Sequence, residues 1–345
     1  MNTWNGLGIL GTCPQKLLPI SRRQGSNGPT GRFVTSLRLV TNFCGRVLGM
    51  LYALVAGGCG NSGENGGSDL SADSVEAWSI ESGIRMVNAT ASCTLRLSDD
   101  TYRTYLSGIT TATSPDGLTW SVLTSVGLAG GPGEFLRNPA VLRQSDGTYL
   151  MIYEGVTNNT NMKFYRATSS DGVHFTKTNG ALTGGAVLLP EVDENNFIGV
   201  PDLVPVNANT LRLYFVAAGD HIETATSSDT GSTWTREGPI ILTGHTGGSQ
   251  QVDPDAIVLP DGGFRLFYAT PPSGQSFANL RIHSALSSDG RSFTVEAGAR
   301  INVETSSQSR LDPDVVLLPA GNYRMYFGES PDPQTDYDLR SAISP

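Results

Sequence analysis

The residues best suited to do chemistry stand beside four prolines. The stretches read Asn138-Pro-Ala140, Val200-Pro-Asp202, Asp253-Pro-Asp255 and Asp312-Pro-Asp314. Further carboxylates lie just ahead of two of them, Glu134 before the first and Glu191, Asp193 and Glu194 before the second. Carboxylates gathered in one confined place lose hydration and repel one another, so the arrangement is costly unless a ligand or a reaction offsets it. A pair with one raised and one ordinary pKa can act as acid and base in glycosidic cleavage. Carboxylates crowded in the same way can also hold Ca²⁺. On this reading Asp253, Asp312, Asp202, Glu191 and Glu134 are the catalytic candidates, and Asn138, Asp255 and Asp314 are candidates for binding substrate. Arg137 and Arg310 sit next to the same stretches and can compensate the acidic charge or clamp a ligand carboxylate. Among the histidines, His221, His245 and His283 show no metal-ligand spacing, and His245, in Thr-Gly-His-Thr-Gly-Gly, is the best placed to reach the carboxylates. A purely local explanation competes with all of this. Pro-Asp recurs with a repeat, and a recurring aspartate can simply accept a backbone N–H.

The repeat is what must position these groups. Thr-Ser-Pro-Asp-Gly-Leu-Thr-Trp at 113–120 returns at 168–175, 226–234 and 286–293, with its aspartates at 116, 171, 229 and 289, spaced by 55, 58 and 60 residues. A period of this size implies one structural unit per copy. Each unit holds an apolar run, a polar tight turn and an aromatic-rich run such as Thr210–Phe215, then a third run, the Asp-Gly turn and a fourth. Alternating hydrophobicity with β-branched and aromatic types predicts four short antiparallel strands joined by turns that tolerate positive φ. Such a unit has two apolar faces and must stack on neighbours, and a closed ring leaves no stray edges. Trp78-Ser-Ile-Glu-Ser-Gly-Ile-Arg-Met86 parallels Phe293–Ile301, the stretch that the last unit lacks before the chain stops at Pro345. The expected fold is therefore an all-β, five-bladed propeller with four antiparallel strands per blade, its last blade completed by an N-terminal strand. The units fall at about 87–125, 136–183, 199–240 and 252–298, with 311–345 plus 74–86 making the last.

In this arrangement the repeated aspartates share a face with the short turns and should cap their own turn. The opposite face carries the long, irregular connections, where function tends to reside. Phe197, Phe277 and Tyr337 lie in those connections and can stack on sugar rings.

Residues 1–59 differ in composition from the rest, with six basic residues and no acidic one. Arg46 precedes the apolar stretch Val47–Ala56, which ends in Ala-Gly-Gly-Cys at 56–59. A basic flank and a short apolar core predict an export signal, and the terminal cysteine resembles the lipidation site of a bacterial lipoprotein signal, at Cys59. Residues 60–73 are rich in Gly, Ser and Asn and predict a flexible tether, leaving 74–345 as the folded domain. Without the leader, 17 basic residues of the 23 face 32 acidic ones. That balance excludes the basic footprint of a nucleic-acid binder. Of four cysteines only Cys93 lies in the domain, which rules out a disulfide within it. The expectation is a monomeric domain in the cell envelope, touching membrane only through the lipid at Cys59 and needing no organic cofactor.

Two phrases carry a resemblance. One is Asp253-Pro-Asp-Ala-Ile ahead of Gly263-Phe-Arg-Leu-Phe267, repeated as Asp312-Pro-Asp-Val-Val ahead of Gly321-Asn-Tyr-Arg-Met-Tyr326. The other is Ala285-Leu-Ser-Ser-Asp-Gly-Arg-Ser-Phe293. Over about 74–345 the chain resembles the five-bladed propeller superfamily of arabinanases, β-xylosidases, levansucrases and invertases. The copy at 227–234 also matches the Asp-box of sialidases, which have six blades, but the other copies are one residue shorter. The resemblance implies carbohydrate as substrate and three carboxylates: an Asp base, an Asp two blades on that tunes pKa, and a Glu acid one blade further. Where the base belongs this chain has Ala91-Ser92-Cys93. Counting from Asp312 puts Asn138 at the tuning position and Glu191 or Glu194 as acid, whereas counting from Asp253 lands on Cys93. Either the site is assembled differently, or the propeller is a non-catalytic module that binds glycan or protein.

The leader reading has a direct check. Replacing Cys59 with serine should move the protein out of the membrane fraction, and unchanged partitioning would show the leader misread.

Overall fold

The computed structural model describes residues 78–157, 161–275, 279–331 and 336–345. Cys59, the tether and Phe277 lie outside the described residues. Five sheets form in chain order. Strand β1 (Ser79–Ile80) comes first; blade one is β2 (Cys93–Arg96), β3 (Tyr102–Leu106), β4 (Thr110–Ser114) and β5 (Thr124–Ser125). Blade two is β6 (Glu134–Arg143), β7 (Tyr149–Thr157), β8 (Asn161–Ser169) and β9 (Thr176–Thr178). Blade three is β10 (Ile198–Asn207), β11 (Thr210–Ala217), β12 (His221–Ser227) and β13 (Thr235–Pro239). The fourth blade is built from β14 (Ile241–Thr243), β15 (Val252–Val258), β16 (Phe264–Thr270), β17 (Arg281–Ser287) and β18 (Ser292–Val295). The fifth is β19 (Ser309–Leu317), β20 (Tyr323–Ser330) and β21 (Asp338–Ile343), with β1 as its outer strand. The inner strands β2, β6, β10, β15 and β19 touch in that order, and β19 touches β2, so the ring is closed. Among the described residues no helix is long and apolar enough to cross a membrane.

The closing strand does what the internal parallel predicts. Ser79 and Ile80 pair with Ile343 and Ala342. Glu81 takes the Arg324 guanidinium at 2.9 and 3.0 Å, as Glu296 takes Arg265 in blade four and Glu237 takes Arg212 in blade three. Trp78 is buried, like its counterpart Phe293. An edge-to-face aromatic pair joins every adjacent pair of blades: Tyr105–Phe175, Phe164–Phe215, Tyr214–Phe293, Trp78–Phe267 and Trp120–Tyr326.

The repeated Asp turns are structural parts of these same interfaces. Asp116 Oδ1 accepts the N–H groups of Leu118 and Thr119 at 2.8 Å, and Asp171, Asp229 and Asp289 do the same in their own turns. Each turn needs a left-handed glycine, Gly117 at φ 72° for example, because a Cβ there would collide with Arg324 and Tyr326 of the adjoining blade. The glycine carbonyl then accepts that tyrosine hydroxyl. Tyr326 reaches Gly117, Tyr105 reaches Gly172 and Tyr214 reaches Gly290, all within 2.7–2.8 Å. Blade five has no such turn, because its outer strand comes from the N-terminus. Three blades carry the tyrosine; blade two has Ile152 in its place, against the Gly231 turn, and blade four has Phe267, whose ring packs on Trp78.

One feature departs from four strands per blade. Residues 241–243, expected in a connection, form β14 and run parallel to β18 at the outer edge of blade four. Leu242 packs into the core between blades three and four, so apolar burial draws the connection onto the open edge.

The latch makes a prediction. Deleting residues 74–86 should lower the melting temperature sharply. Glu81→Ala alone should cost about 3 kcal/mol, because it strands a mostly buried arginine; an unchanged melting curve for the deletion would contradict closure through β1.

Candidate functional site

Four of the five inner strands carry the same irregularity at their start. The ladder register shifts between Arg137 and Ala140, Gly199 and Asp202, Val252 and Asp255, and Leu311 and Asp314. In each bulge the residue before proline is left-handed, at φ 48° for Asn138, 49° for Val200, 54° for Asp253 and 50° for Asp312, and Ala91 matches at 51° in blade one. A bulge leaves one residue without a ladder partner, so proline loses no hydrogen bond there. The conformation is strained, above all for β-branched Val200, and persists because the surrounding ring enforces it. Its effect is to present the residues on both sides of the proline to the central channel. The channel narrows there to a cavity of about 40 Å³ lined by Ala91, Cys93, Asn138, Asp202, Asp253, Asp255 and Asp312 among others. That is room for about three waters.

The lining falls into two tiers. The deeper one holds Cys93, Ala140, Asp202, Asp255 and Asp314, the residue after each proline or its equivalent. Asp202 accepts the N–H of Ala256 at 2.8 Å, Asp255 that of Val315 at 3.2 Å, and Asp314 that of Thr94 at 3.0 Å with its hydroxyl at 2.7 Å. Cys93 Sγ accepts the N–H of Val141 at 3.1 Å. Each bond runs from one inner strand to the next, so this tier is a girdle around the axis. It has one gap, at Ala140, and there Leu203 N–H turns to Asp202 Oδ1 instead.

The tier at the mouth holds Asn138, Val200, Asp253 and Asp312. Asp312 Oδ2 accepts the Thr90 hydroxyl and, at 3.2 Å, the N–H of Ala91. The nearby backbone N–H of Asp312 favours the charged form of Asp253. Behind them, Glu154 of β7 is fully buried. Its Oε1 takes Arg137 Nη2 and Nε at 2.6 and 2.9 Å, and its Oε2 takes Asn138 Nδ2 at 2.8 Å.

Burial governs the titration of both tiers. It pushes Asp202 up to about 7, against the N–H groups of Ala256 and Leu203, and the charge of Asp314 raises it further. Asp255 goes well above the usual carboxylate range through burial and then the charges of Asp202 and Asp314. Asp314 is raised by burial, with Thr94 opposing. Asp253 is pushed well up by burial and then by the charge of Asp312. Asp312 is raised by burial too, but Thr90, Ala91 and the Arg137 charge all pull it back. The Tyr337 hydroxyl is raised by burial and then by the charges of Asp312 and Asp253.

Other expected residues lie elsewhere. Glu194 receives both Nη groups of Arg236 at 2.6 and 2.9 Å, and Glu191 lies 3.4 Å from the same guanidinium. Both therefore face outer strand β13 rather than the channel. Glu134 accepts the Tyr165 hydroxyl at 2.7 Å and the N–H of Gly131 at 2.9 Å, on β8 of its own blade. His245 contacts Tyr268, Gly248 and Gln251 outside the cavity lining. Arg310 is buried against Glu329 and Glu304. Phe197 packs on the cluster of Val216, Val252, Ala269 and Leu280. Among the described residues no three His, Cys, Asp or Glu side chains are grouped to hold a metal ion. Glu154 and Thr90 were not singled out from the sequence. Glu154 had a signal: it occupies a column filled elsewhere by Ser107, Val216, Ala269 and Gly328.

The two sets of aspartates set opposite limbs of a stability profile. The channel carboxylates have folded pKa values above the unfolded value of about 3.9, so their contribution is complete below that pH and fades as pH rises, through about 7 for Asp202. The turn aspartates are depressed by their N–H partners, Asp229 to about 2, so their contribution is complete above about pH 3.9 and fades as pH falls. The melting temperature should therefore peak in mildly acidic solution and fall towards pH 8. Asp202→Asn should flatten the alkaline limb, since an amide oxygen still accepts the Ala256 N–H. Stability that climbs steadily from pH 5 to pH 8 would contradict this.

No protein-family model matches the chain, and no curated protein does. Solved structures share the fold. An α-L-arabinofuranosidase from Podospora anserina, in complex with cellotriose, aligns with a TM-score of 0.56 at 11% identity over 78% of this chain and 94% of its own. A structure from glycoside hydrolase family 130, described as containing mannoside phosphorylases and hydrolases of β-1,2-mannosidic linkages, gives 0.54 at 17% identity over 78% and 85%. An endo-1,5-α-L-arabinanase from Thermotoga petrophila gives 0.54 at 15% identity over 76% and 73%. At such identities the likeness is one of fold. The chain is a five-bladed propeller of the kind used by several carbohydrate-active families.

Proposed function

We propose that this chain acts on carbohydrate at its long-loop face and that Asp253 and Asp312 perform the chemistry. The observation that carries this reading is their place together in the lining of one small cavity, where burial raises both and the charge of Asp312 raises Asp253 further, an arrangement in which one proton can be held between them. A proton-sharing pair supplies an acid and a base together. In hydrolysis one carboxyl gives its proton to the leaving glycosidic oxygen as the C–O bond breaks. Its partner takes a proton from the water whose oxygen bonds to the anomeric carbon. The cavity admits water but is too narrow to take in a polymer chain, so the sugar would lie across the mouth, beside Asn138 and Tyr337. The carbohydrates named with the neighbouring structures, the arabinan and β-1,2-mannosidic linkages of two enzymes and the cellotriose bound to a third, support carbohydrate as the class.

A second reading, a non-catalytic glycan-binding propeller, is favoured by the glutamates. Glu191 and Glu194 are engaged by Arg236, Glu134 by Tyr165 and Glu154 by Arg137, so no glutamate acid stands at the mouth in the described residues. The discriminating experiment is hydrolysis of a panel of aryl glycosides and polysaccharides by the full chain, beside the Asp253→Asn and Asp312→Asn variants. Turnover that falls at least 100-fold in either variant, with the melting curve retained, would establish the enzyme. Binding to a glycan array without turnover by the parent would establish the module instead.

A further inference from the structure

The two aspartates of the pair are alike in sequence, each standing before Pro-Asp, yet the groups around them differ. On the Asp312 side, Oδ2 accepts the Thr90 hydroxyl and the N–H of Ala91. Space for Thr90 is reserved by Gly328, where a Cβ would collide with the hydroxyl oxygen. Two blades round from Asp312, Arg137 is fixed by a carboxylate rather than left to move. Glu154, with no exposed surface, accepts two of its N–H groups and also the Asn138 amide. Gly199 keeps room for that carboxylate, since a Cβ there would sit 3.3 Å from Glu154 Oε2 and 3.2 Å from the Phe197 ring. On the Asp253 side no side-chain donor among the described residues stands in the place of Thr90, and the charge that acts on it is the Asp312 carboxylate.

Resting on the proposed carbohydrate chemistry, we infer that the buried Arg137–Glu154 pair is a positioning element that acts with the Thr90 and Ala91 donors to set which aspartate keeps the shared proton: Asp312 is the ionised member and Asp253 the protonated one. A buried ion pair gives little net stability compared with apolar residues of similar size, so its retention beside the mouth is better explained by what its field does there. Arg137 favours charge on Asp312, and Glu154 moderates that field while holding Asn138 at the cavity wall. The other titratable groups near the pair are Tyr337, whose hydroxyl feels both charges, and Asp202, Asp255 and Asp314 after the prolines. These are neutral or acidic and cannot substitute for Arg137. Asp253 is then the proton donor to the leaving oxygen, and Asp312 receives the proton of the attacking water.

The test reads the protons directly, so it does not depend on turnover. In protein labelled with ¹³Cγ-aspartate, the resonances of the pair are assigned by Asp253→Asn and Asp312→Asn and followed with pH. The Asp312 signal should titrate at lower pH than that of Asp253. Glu154→Gln leaves the arginine charge unopposed and should move the Asp312 midpoint down by about one pH unit. The double variant Arg137→Met, Glu154→Met removes the charges together and should move it up. If Glu154→Gln fails to fold, the double variant decides alone, because an apolar replacement of a buried ion pair usually folds. Asp253 titrating first, or a double variant that leaves both curves in place, would overturn the inference. Should the substrate panel show no turnover while the midpoints move as stated, the catalytic reading falls and the positioning role stands. Where turnover is found, the pH optimum should follow the same opposite displacements in the two variants.

Discussion

The ring is held at its axis by hydrogen bonds that pass from one inner strand to the side chain of the next. An inner strand is the edge of its own sheet, and its outward N–H groups have no ladder to join. The bulge before each proline turns the following side chain towards the neighbouring strand, and Asp202, Asp255, Asp314 and Cys93 satisfy the N–H groups of Ala256, Val315, Thr94 and Val141. Five inner strands are thereby tied to one another in a circle, apart from the join at Ala140. The outer rim is tied separately, by aromatic pairs and by tyrosines that reach the Asp turns.

This way of closing the ring has an electrostatic consequence. Three of the bridging side chains are carboxyl groups buried within reach of each other's charge, and the mouth holds two more. A buried carboxylate is stabilised by N–H donors and penalised by lost water and like neighbours. In the girdle each carboxyl group is engaged by a backbone N–H of the next strand, and Asp314 also by the Thr94 hydroxyl. At the mouth the left-handed bulge residue stands one step above the girdle, where the cavity meets the long loops. The same strained backbone therefore yields a structural aspartate and an available one within three residues. Position relative to the proline separates them.

Much of this architecture was legible in the sequence because it is repetitive. The Asp phrase, the aromatic runs and the likeness of Trp78–Met86 to Phe293–Ile301 each report a local pairing rule applied several times over, and repetition averages out the ambiguity of any single strand. Glu81 fell on Glu296 in that comparison, and the two glutamates hold equivalent arginines. Strand β14 was hidden, since three residues of connection carry no period and settle on blade four only because an edge and an apolar pocket are there. The site was legible only in outline. Proximity to Pro-Asp singled out Asp253, Asp312 and Asn138, which line the cavity. It also drew in Glu191 and Glu134, whose destinations depend on Arg236 and Tyr165, residues distant in the chain.

Glu154 shows where a repeat is most informative about function. A repeat describes what every unit needs in order to stack, so a residue that obeys it is explained by stacking. A charged side chain in a column of Ser107, Val216, Ala269 and Gly328 obeys nothing of the kind. Burying a carboxylate there required Arg137 as counter-charge, Asn138 as donor and a glycine at 199 to leave room, three accommodations in two blades. No other blade makes them at that column. Thr90 is the same sort of exception in blade one, where Ala91-Ser92-Cys93 replaces the proline phrase and the freed strand start turns a hydroxyl towards Asp312. These two departures from five-fold likeness, unlike β14 at the outer edge of blade four, bear on the small cavity that Asp253 and Asp312 line. That asymmetry is the strongest physical argument for placing the proposed chemistry there.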